Sequence, residues 1–87
     1  MELYNIKEVI KPFFDNLGIN EIDLEYKNNI FITKEDFIID EIPYYLYIRL
    51  YNNIGTVCLG YTDGLKLYKT ETLGQIILEN NCWKTLI

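Results

Sequence analysis

The sequence predicts an α+β fold in which a single antiparallel sheet of about five strands carries helices on one face, in the order α-β-β-α-β-β-β-α. Three observations predict it. Apolar residues recur at helical spacing near the N-terminus, alternating segments follow, and turn signals such as Asn-Asn and Asp-Gly separate them. Because 87 residues suffice for one core, we expect a single domain over residues 1–87.

The N-terminal segment is predicted to form a helix over roughly residues 3–16, ended by Gly18. Pro12 lies inside it. Since proline removes an internal hydrogen-bond donor, we expect it to kink the helix or to begin a fresh first turn. The apolar stripe of this helix consists of Leu3, Ile6, Ile10, Phe13 and Leu17, widened by Val9 and Phe14.

A β-hairpin is predicted next, with alternating residues 22–26 as its first strand and residues 30–32 as its second. A three-residue loop, 27–29, keeps the aliphatic residues of both strands and Tyr26 on one face. A two-residue loop would split them between the faces, so we prefer the longer loop.

A second, short helix is predicted over about residues 34–41. Thr33 is a suitable N-cap, and acidic residues follow in the first turn, where the helix dipole favours them. Pro43 and the residue before it limit the helix on its C-terminal side.

The segment from Tyr44 to Tyr51 is predicted to be a long strand with two different faces. Its even positions are apolar or aromatic, and its odd positions read Tyr, Tyr, Arg, Tyr, so one side faces the core and the other is rich in tyrosine. Tyr and Arg carry much of the binding energy at protein interfaces. We expect this tyrosine face to mediate dimerisation or partner binding, the alternative being that its rings only stabilise cross-strand pairs. Its members are Tyr45, Tyr47, Arg49, Tyr51 and Tyr68.

The remaining elements are two strands and a final helix. A four-residue loop, 52–55, would pair Tyr51 with Thr56, and a loop over 62–64 would lead into the fifth strand. Thr72 and Gln75 form a capping box, which predicts a helix ending near Asn80 or Asn81. The apolar run is short enough that a hairpin across Asn80-Asn81 is the alternative.

Charge is distributed unevenly along the chain. Residues 1–43 hold ten acidic residues against four lysines, a net charge of −6, whereas the remainder has a net charge of +1, giving −5 in total. An acidic half repels nucleic acid and favours a partner with a basic surface, although a merely solvated surface explains it too. The partner-binding residues that we expect are Glu21, Asp23, Glu25, Glu35, Asp36, Asp40 and Glu41.

The sequence contains no signal that predicts a metal site, a cofactor or a membrane span. There is no histidine, and Cys58 and Cys82 lack metal-type spacing, so we expect no metal site, no cofactor and two buried thiols. No stretch reaches the roughly 18 apolar residues of a membrane span, and Glu2 stands where a leader sequence would be basic. These observations predict a cytoplasmic protein without direct contact to membrane or nucleic acid.

The best catalytic candidate is weak. Glu25 and Lys27, after Asp15, have the residue types of a metal-dependent nuclease core. Such a core needs its separate aspartate on an adjacent strand, whereas Asp15 falls near the end of the first helix. We therefore expect no enzymatic activity.

Residues 13–24 and 32–37 resemble the N-terminal part of the type I-D anti-CRISPR family of archaeal rod-shaped viruses. The resemblance implies a small acidic α+β homodimer of viral origin, acting in the host cytoplasm. Such a protein binds the large subunit of a host CRISPR interference complex and blocks it without catalysis. The matching positions are Phe14, Asn16, Ile19, Glu21-Ile22-Asp23-Leu24, Ile32, Lys34 and Phe37.

The function we expect is therefore inhibition by occlusion, in which an acidic, non-catalytic protein covers a basic, nucleic-acid-binding surface of a host defence protein. An immunity or antitoxin-like protein that neutralises a basic toxic enzyme is the alternative. A small metal-dependent nuclease is the third hypothesis.

Overall fold

The computed structural model describes residues 5–19, 22–62 and 68–86, and for Tyr68 the backbone alone. The described residues are mostly β, with one short helix, so the predicted α+β fold with several helices is wrong. The elements are α1 (Ile6–Asp15), β1 (Leu24–Lys27), β2 (Ile30–Thr33), β3 (Phe37–Ile39), β4 (Ile42–Tyr51), β5 (Ile54–Thr62), β6 (Tyr68–Glu79) and β7 (Cys82–Thr85).

The seven described strands form one antiparallel sheet that curls into a half-barrel. Its order is β1-β2-β4-β5-β6-β7, and β3 pairs with β4 beside β2. The first residues of β4 pair with β3 and its later residues with β2, so two short strands lie end to end along the same edge of β4.

Short turns rich in asparagine connect most of the strands. Both central residues of Asn28-Asn29, Asp40-Glu41 and Asn80-Asn81 have positive φ, between 51° and 69°, as type I′ hairpin turns require. Asparagine and aspartate tolerate this region better than most residues. The predicted loops 27–29 and 52–55 are therefore too long, because Lys27 pairs directly with Ile30 and Tyr51 with Ile54.

The helix predicted over residues 34–41 does not form. Residues 37–39 are strand β3, and Asp40-Glu41 turn the chain directly into β4. The first half of β4 gains backbone pairing from β3, and the rings of Phe37 and Tyr44 stack across the pair at 6.2 Å. This pairing outweighs the local capping signal at Thr33, which is a strand residue instead.

The final helix predicted from Thr72 is also wrong, and the hairpin alternative is correct. Strand β6 pairs with nine residues of β5, and β7 folds back across Asn80-Asn81. This pairing places Ile76 in the core and Trp83 beside it. The loop predicted over 62–64 lies mostly outside the described residues, since only Thr62, at the end of β5, is described.

The core lies between α1 and one face of the sheet. Ile6, Ile10 and Phe14 of the helix share a buried cluster with Leu46 and other sheet residues. The helix begins at Ile6 and ends at Asp15, which is shorter than predicted at the C-terminal end, and it continues through Pro12. Among the described residues, no helix is both long and apolar enough to cross a membrane.

Candidate protein-binding surface

The sheet face opposite α1, called the outer face below, carries the tyrosine residues of β4. Leu46 and Ile48 are fully buried on the core side of this strand, whereas the odd-numbered residues point the other way. Tyr51 is 78% exposed and Arg49 is exposed, while Tyr45 and Tyr47 are half-buried. The two faces expected for residues 44–51 are thus present. Tyr68 lies on β6 by its pairing with Thr62.

Cross-strand pairing arranges the outer face in rows. One row crosses the sheet through Tyr47 and another through Arg49, and a third runs from Tyr51 to β7. Because opposite residues of an antiparallel pair share a face, each row is a continuous strip of side chains. The rows are Glu25-Ile32-Tyr47-Cys58-Thr72, Lys27-Ile30-Arg49-Thr56-Gln75 and Tyr51-Ile54-Ile77-Lys84.

These rows add four half-buried isoleucines that sequence reasoning did not place on this face: Ile30, Ile32, Ile54 and Ile77. Ile30 and Ile32 were predicted to share one face with Tyr26, and the shorter Asn28-Asn29 turn places them on the opposite face. The signal for this turn was present, since Asn-rich dipeptides between alternating segments favour two-residue hairpins. The outer face is consequently aliphatic as well as aromatic.

Tyr45 lies flat over β5 because the residue opposite it is Gly60. A Cβ atom at Gly60 would lie 2.4 Å from Cζ of the Tyr45 ring, so only glycine leaves room for the ring in this position. The ring of Tyr47 follows with its centroid 5.7 Å away. The two tyrosines therefore form a fixed aromatic surface on the outer face.

The surroundings of Tyr47 raise the pKa of its hydroxyl and so favour the protonated form. Burial raises its pKa above the ordinary value of 10.0, and the neighbouring Cys58 thiol raises it further, while Arg49 and a hydrogen bond with Thr70 act in the opposite direction. Cys58 is buried, as expected, and its thiol lies 3.7 Å from the carbonyl oxygen of Thr56. At neutral pH the outer face presents an uncharged tyrosine beside the positive charge of Arg49.

The acidic residues expected to bind a partner occupy different parts of the molecule. Asp23, Glu35 and Asp36 line one open cleft of about 340 Å³, together with Lys34 and Phe37. Asp40 and Glu41 are exposed at the β3–β4 turn, and Glu25 lies on the outer face. Glu21 is outside the described residues.

Two of these carboxylates pair with lysines. Asp23 Oδ1 lies 3.3 Å from Nζ of Lys7, and Glu25 Oε1 lies 3.3 Å from Nζ of Lys27. All four side chains are largely solvated, so these pairs contribute little to folding. Glu35, Asp36, Asp40 and Glu41 are exposed and flank β3: the first two precede it, and the last two form the β3–β4 turn. We call these four residues the acidic border.

The residues of the nuclease hypothesis lie apart. Asp15 ends α1, which packs on the core side of the sheet, whereas Glu25 and Lys27 belong to the outer face. Within the described ranges, no three carboxylate or thiol side chains are grouped so as to hold a metal ion.

No family model and no solved structure matches the chain. The chain is similar to the DNA ligases of two strains of Ureaplasma parvum serovar 3, with 37% identity over an 87-residue alignment. The alignment covers 88% of this chain, which spans about 13% of the length of these relatives.

Proposed function

We propose that this chain is a non-catalytic binding domain whose outer face covers a basic surface of a partner protein. The observation that carries the proposal is the rows of tyrosine and isoleucine side chains on the sheet face opposite α1. Aromatic residues and arginine are enriched at protein interfaces, where a few of them supply most of the binding energy. The outer face has this composition, with Arg49 between Tyr47 and Tyr51.

The acidic border is the reason for proposing a partner with a positively charged surface. Its four carboxylates are exposed at the two ends of β3, and the whole chain has a net charge of −5. Exposed charges of one sign accelerate encounter with a surface of opposite sign, and they contribute less to the final affinity than buried anchors do. A basic partner would be attracted by the border and held by the outer face.

Two biological settings fit this function. An inhibitor that occludes a nucleic-acid-binding surface of a host defence protein is favoured by the anti-CRISPR resemblance. An immunity-type protein that neutralises a basic toxic enzyme would use the same surface. A viral genome around the gene would favour the first setting, and an adjacent toxin gene would favour the second.

Affinity capture with matched tyrosine variants tests the proposal. Tyr51→Ser removes an exposed ring from the outer face, whereas Tyr26→Ser removes a tyrosine that is 38% exposed on the core side of β1. We expect the wild type and Tyr26→Ser to capture the same basic protein, and Tyr51→Ser to capture much less of it. Equal capture by all three proteins would contradict an outer-face site.

A second candidate function is contact with DNA, favoured by the similarity to DNA ligases. The net charge of −5 opposes it, because most protein–DNA affinity comes from cationic side chains on phosphates. Fluorescence anisotropy with nicked and intact duplexes measures it directly. Salt-dependent binding of either duplex at micromolar protein would favour the second candidate, and absence of binding would favour the first.

A further inference from the structure

Within the described part of the chain, strand β6 leaves part of one edge of the sheet without a neighbouring strand. It is twelve residues long and pairs with β5 along most of its length, but β7 reaches only Ile76–Glu79. A hydrogen bond from Leu86 N–H to the Gln75 carbonyl, 2.9 Å long, extends this contact by one position. Among the described residues, no strand covers positions 68–74 on the side away from β5.

The residues whose backbone groups point out of this edge follow from the register. Gln75 lies opposite Thr56 on the outer face, and its carbonyl points toward β7. Along one strand, a side chain's face and the direction of its backbone groups alternate together, so outer-face residues all point toward the same edge. The extra residue at the bulge, Leu73, preserves this relation. Thr70 and Thr72, opposite Gly60 and Cys58, therefore direct their N–H and C=O groups to the open edge.

We propose that this edge pairs with the same edge of a second copy of the chain, antiparallel, around a two-fold axis at Thr70. The argument is charge complementarity. Lys69 and Glu71 flank Thr70, and both are exposed. In this register Lys69 lies opposite Glu71 of the second copy, and the symmetry forms the pair twice.

Other registers lack this complementarity. An axis at Thr72 would set Glu71 opposite Leu73, and an axis at position 68 would also leave Lys69 without an acidic partner. With the axis at Thr70, the two Thr70 residues exchange backbone hydrogen bonds. Lys69 and Glu71 then occupy a non-hydrogen-bonded position, where opposite side chains are closest. A lysine alone on an edge commonly prevents such pairing, but here a glutamate two residues away compensates it.

The paired sheet would be continuous through both copies. Opposite residues of an antiparallel pair share a face, so the outer faces of the two copies lie on the same side. The dimer would present two sets of outer-face tyrosines on the same side of one continuous sheet. This inference is independent of which partner the outer face binds.

Charge exchange tests the pairing by light scattering and sedimentation at high micromolar concentration. Lys69→Glu places glutamates opposite glutamates, and Glu71→Lys places lysines opposite lysines, so each variant alone should dimerise at least about tenfold more weakly than the wild type. An equimolar mixture of the two variants should form a heterodimer, since every opposite pair is then Lys–Glu. The double variant Lys69→Glu/Glu71→Lys should dimerise like the wild type.

Three outcomes would overturn the proposal: a monomeric wild type, single variants that dimerise as well as the wild type, or a mixture that does not associate. Tyr51→Glu is a further control, because it changes an exposed outer-face residue that lies in a different cross-strand row from Thr70. If Tyr51→Glu were monomeric, the outer face would be the dimer interface instead. Circular dichroism verifies that each variant is folded. Light scattering and sedimentation report self-association alone. A negative result would therefore contradict the edge pairing without contradicting the proposed binding of a partner by the outer face.

Discussion

The side chain of Asn5 pairs with the backbone of Trp83 through two hydrogen bonds. Its Nδ2 donates to the Trp83 carbonyl oxygen at 3.0 Å, and the Trp83 N–H donates to its Oδ1 at 2.9 Å. The amide thus takes the place of a neighbouring strand along β7. It fixes the first turn of α1 to a residue 78 positions later.

The first prediction concerns the contribution of this contact to stability. Asn5 has a positive φ of 49°, which glycine adopts freely, so Asn5→Gly removes the hydrogen bonds without adding backbone strain. We expect a loss of about 1–3 kcal/mol in the free energy of unfolding, because the polar backbone of Trp83 is left without its partner. Urea denaturation measures it. Asn16→Gly, at an exposed site after α1, is the control, and an equal loss there would contradict the specific contact.

For strand β4, the sequence predicted correctly which side chains face the core, whereas it did not predict the turn lengths or the register of strand pairing in the first hairpin. Alternation over residues 44–51 placed Leu46 and Ile48 in the core, because that strand is fully buried on one side and partly exposed and rich in tyrosine on the other. The first hairpin was misread because its apolar residues were assumed to share one face. Both faces of the sheet carry isoleucine, and Ile30 and Ile32 lie on the outer one.

Helix signals at Thr33 and Thr72 failed for a different reason. N-caps and first-turn acids are local preferences of about 1 kcal/mol. Strand pairing with β4 and β5 satisfies many backbone groups at once, and it is non-local, so single-sequence periodicity does not detect it. The negative charge of the acidic border was predictable from composition, but its position around β3 was not, because residues 34–41 were predicted to be a helix.

The second prediction concerns Gly60 and the ring of Tyr45. Gly60→Ala would insert a methyl group where the ring lies, so the ring must move away from β5. We expect a destabilisation of about 1–3 kcal/mol and weaker partner binding, because a displaced ring no longer forms the fixed aromatic surface.

A double-mutant cycle with Tyr45→Ala isolates this contact. The methyl group at position 60 should cost less when the ring is absent, giving an interaction energy between the two sites. Additive losses, measured by urea denaturation, would contradict a direct clash.

The third prediction concerns alkaline pH. Burial and Cys58 raise the pKa of Tyr47 above 10.0, so the folded state favours its protonated form. Stability from this group is complete below pH 10.0 and is lost as pH rises through the higher folded pKa. Ionisation of tyrosine is followed by ultraviolet absorbance as the pH is raised. The absorbance change of the wild type minus that of Tyr47→Phe should have its midpoint above pH 10.0. A midpoint at or below pH 10.0 would contradict a raised pKa for Tyr47.

The fourth prediction concerns the acidic border. Asp36→Lys should slow association with a captured basic partner and flatten its salt dependence, because exposed carboxylates act mainly on encounter. Stopped-flow or surface-based kinetics at two ionic strengths measures both. Glu79→Lys changes the net charge equally at an exposed residue before the β6–β7 turn, away from the border. Equal slowing by the two variants would indicate a general charge effect instead of a local one.

The last prediction separates surface binding from catalysis. Glu25 and Lys27 form an exposed ion pair on the outer face, and Asp15 ends the helix on the opposite side of the sheet. Glu25→Ala should therefore weaken partner binding only modestly, by less than about 1 kcal/mol, since solvated ion pairs at a rim contribute little. Purified protein should leave DNA and RNA uncut with or without divalent cations, and a chelator should not affect partner binding. Cleavage that requires a divalent metal and disappears in Glu25→Ala would mean that this pair acts in a nuclease site, with Lys27 orienting the attacking water.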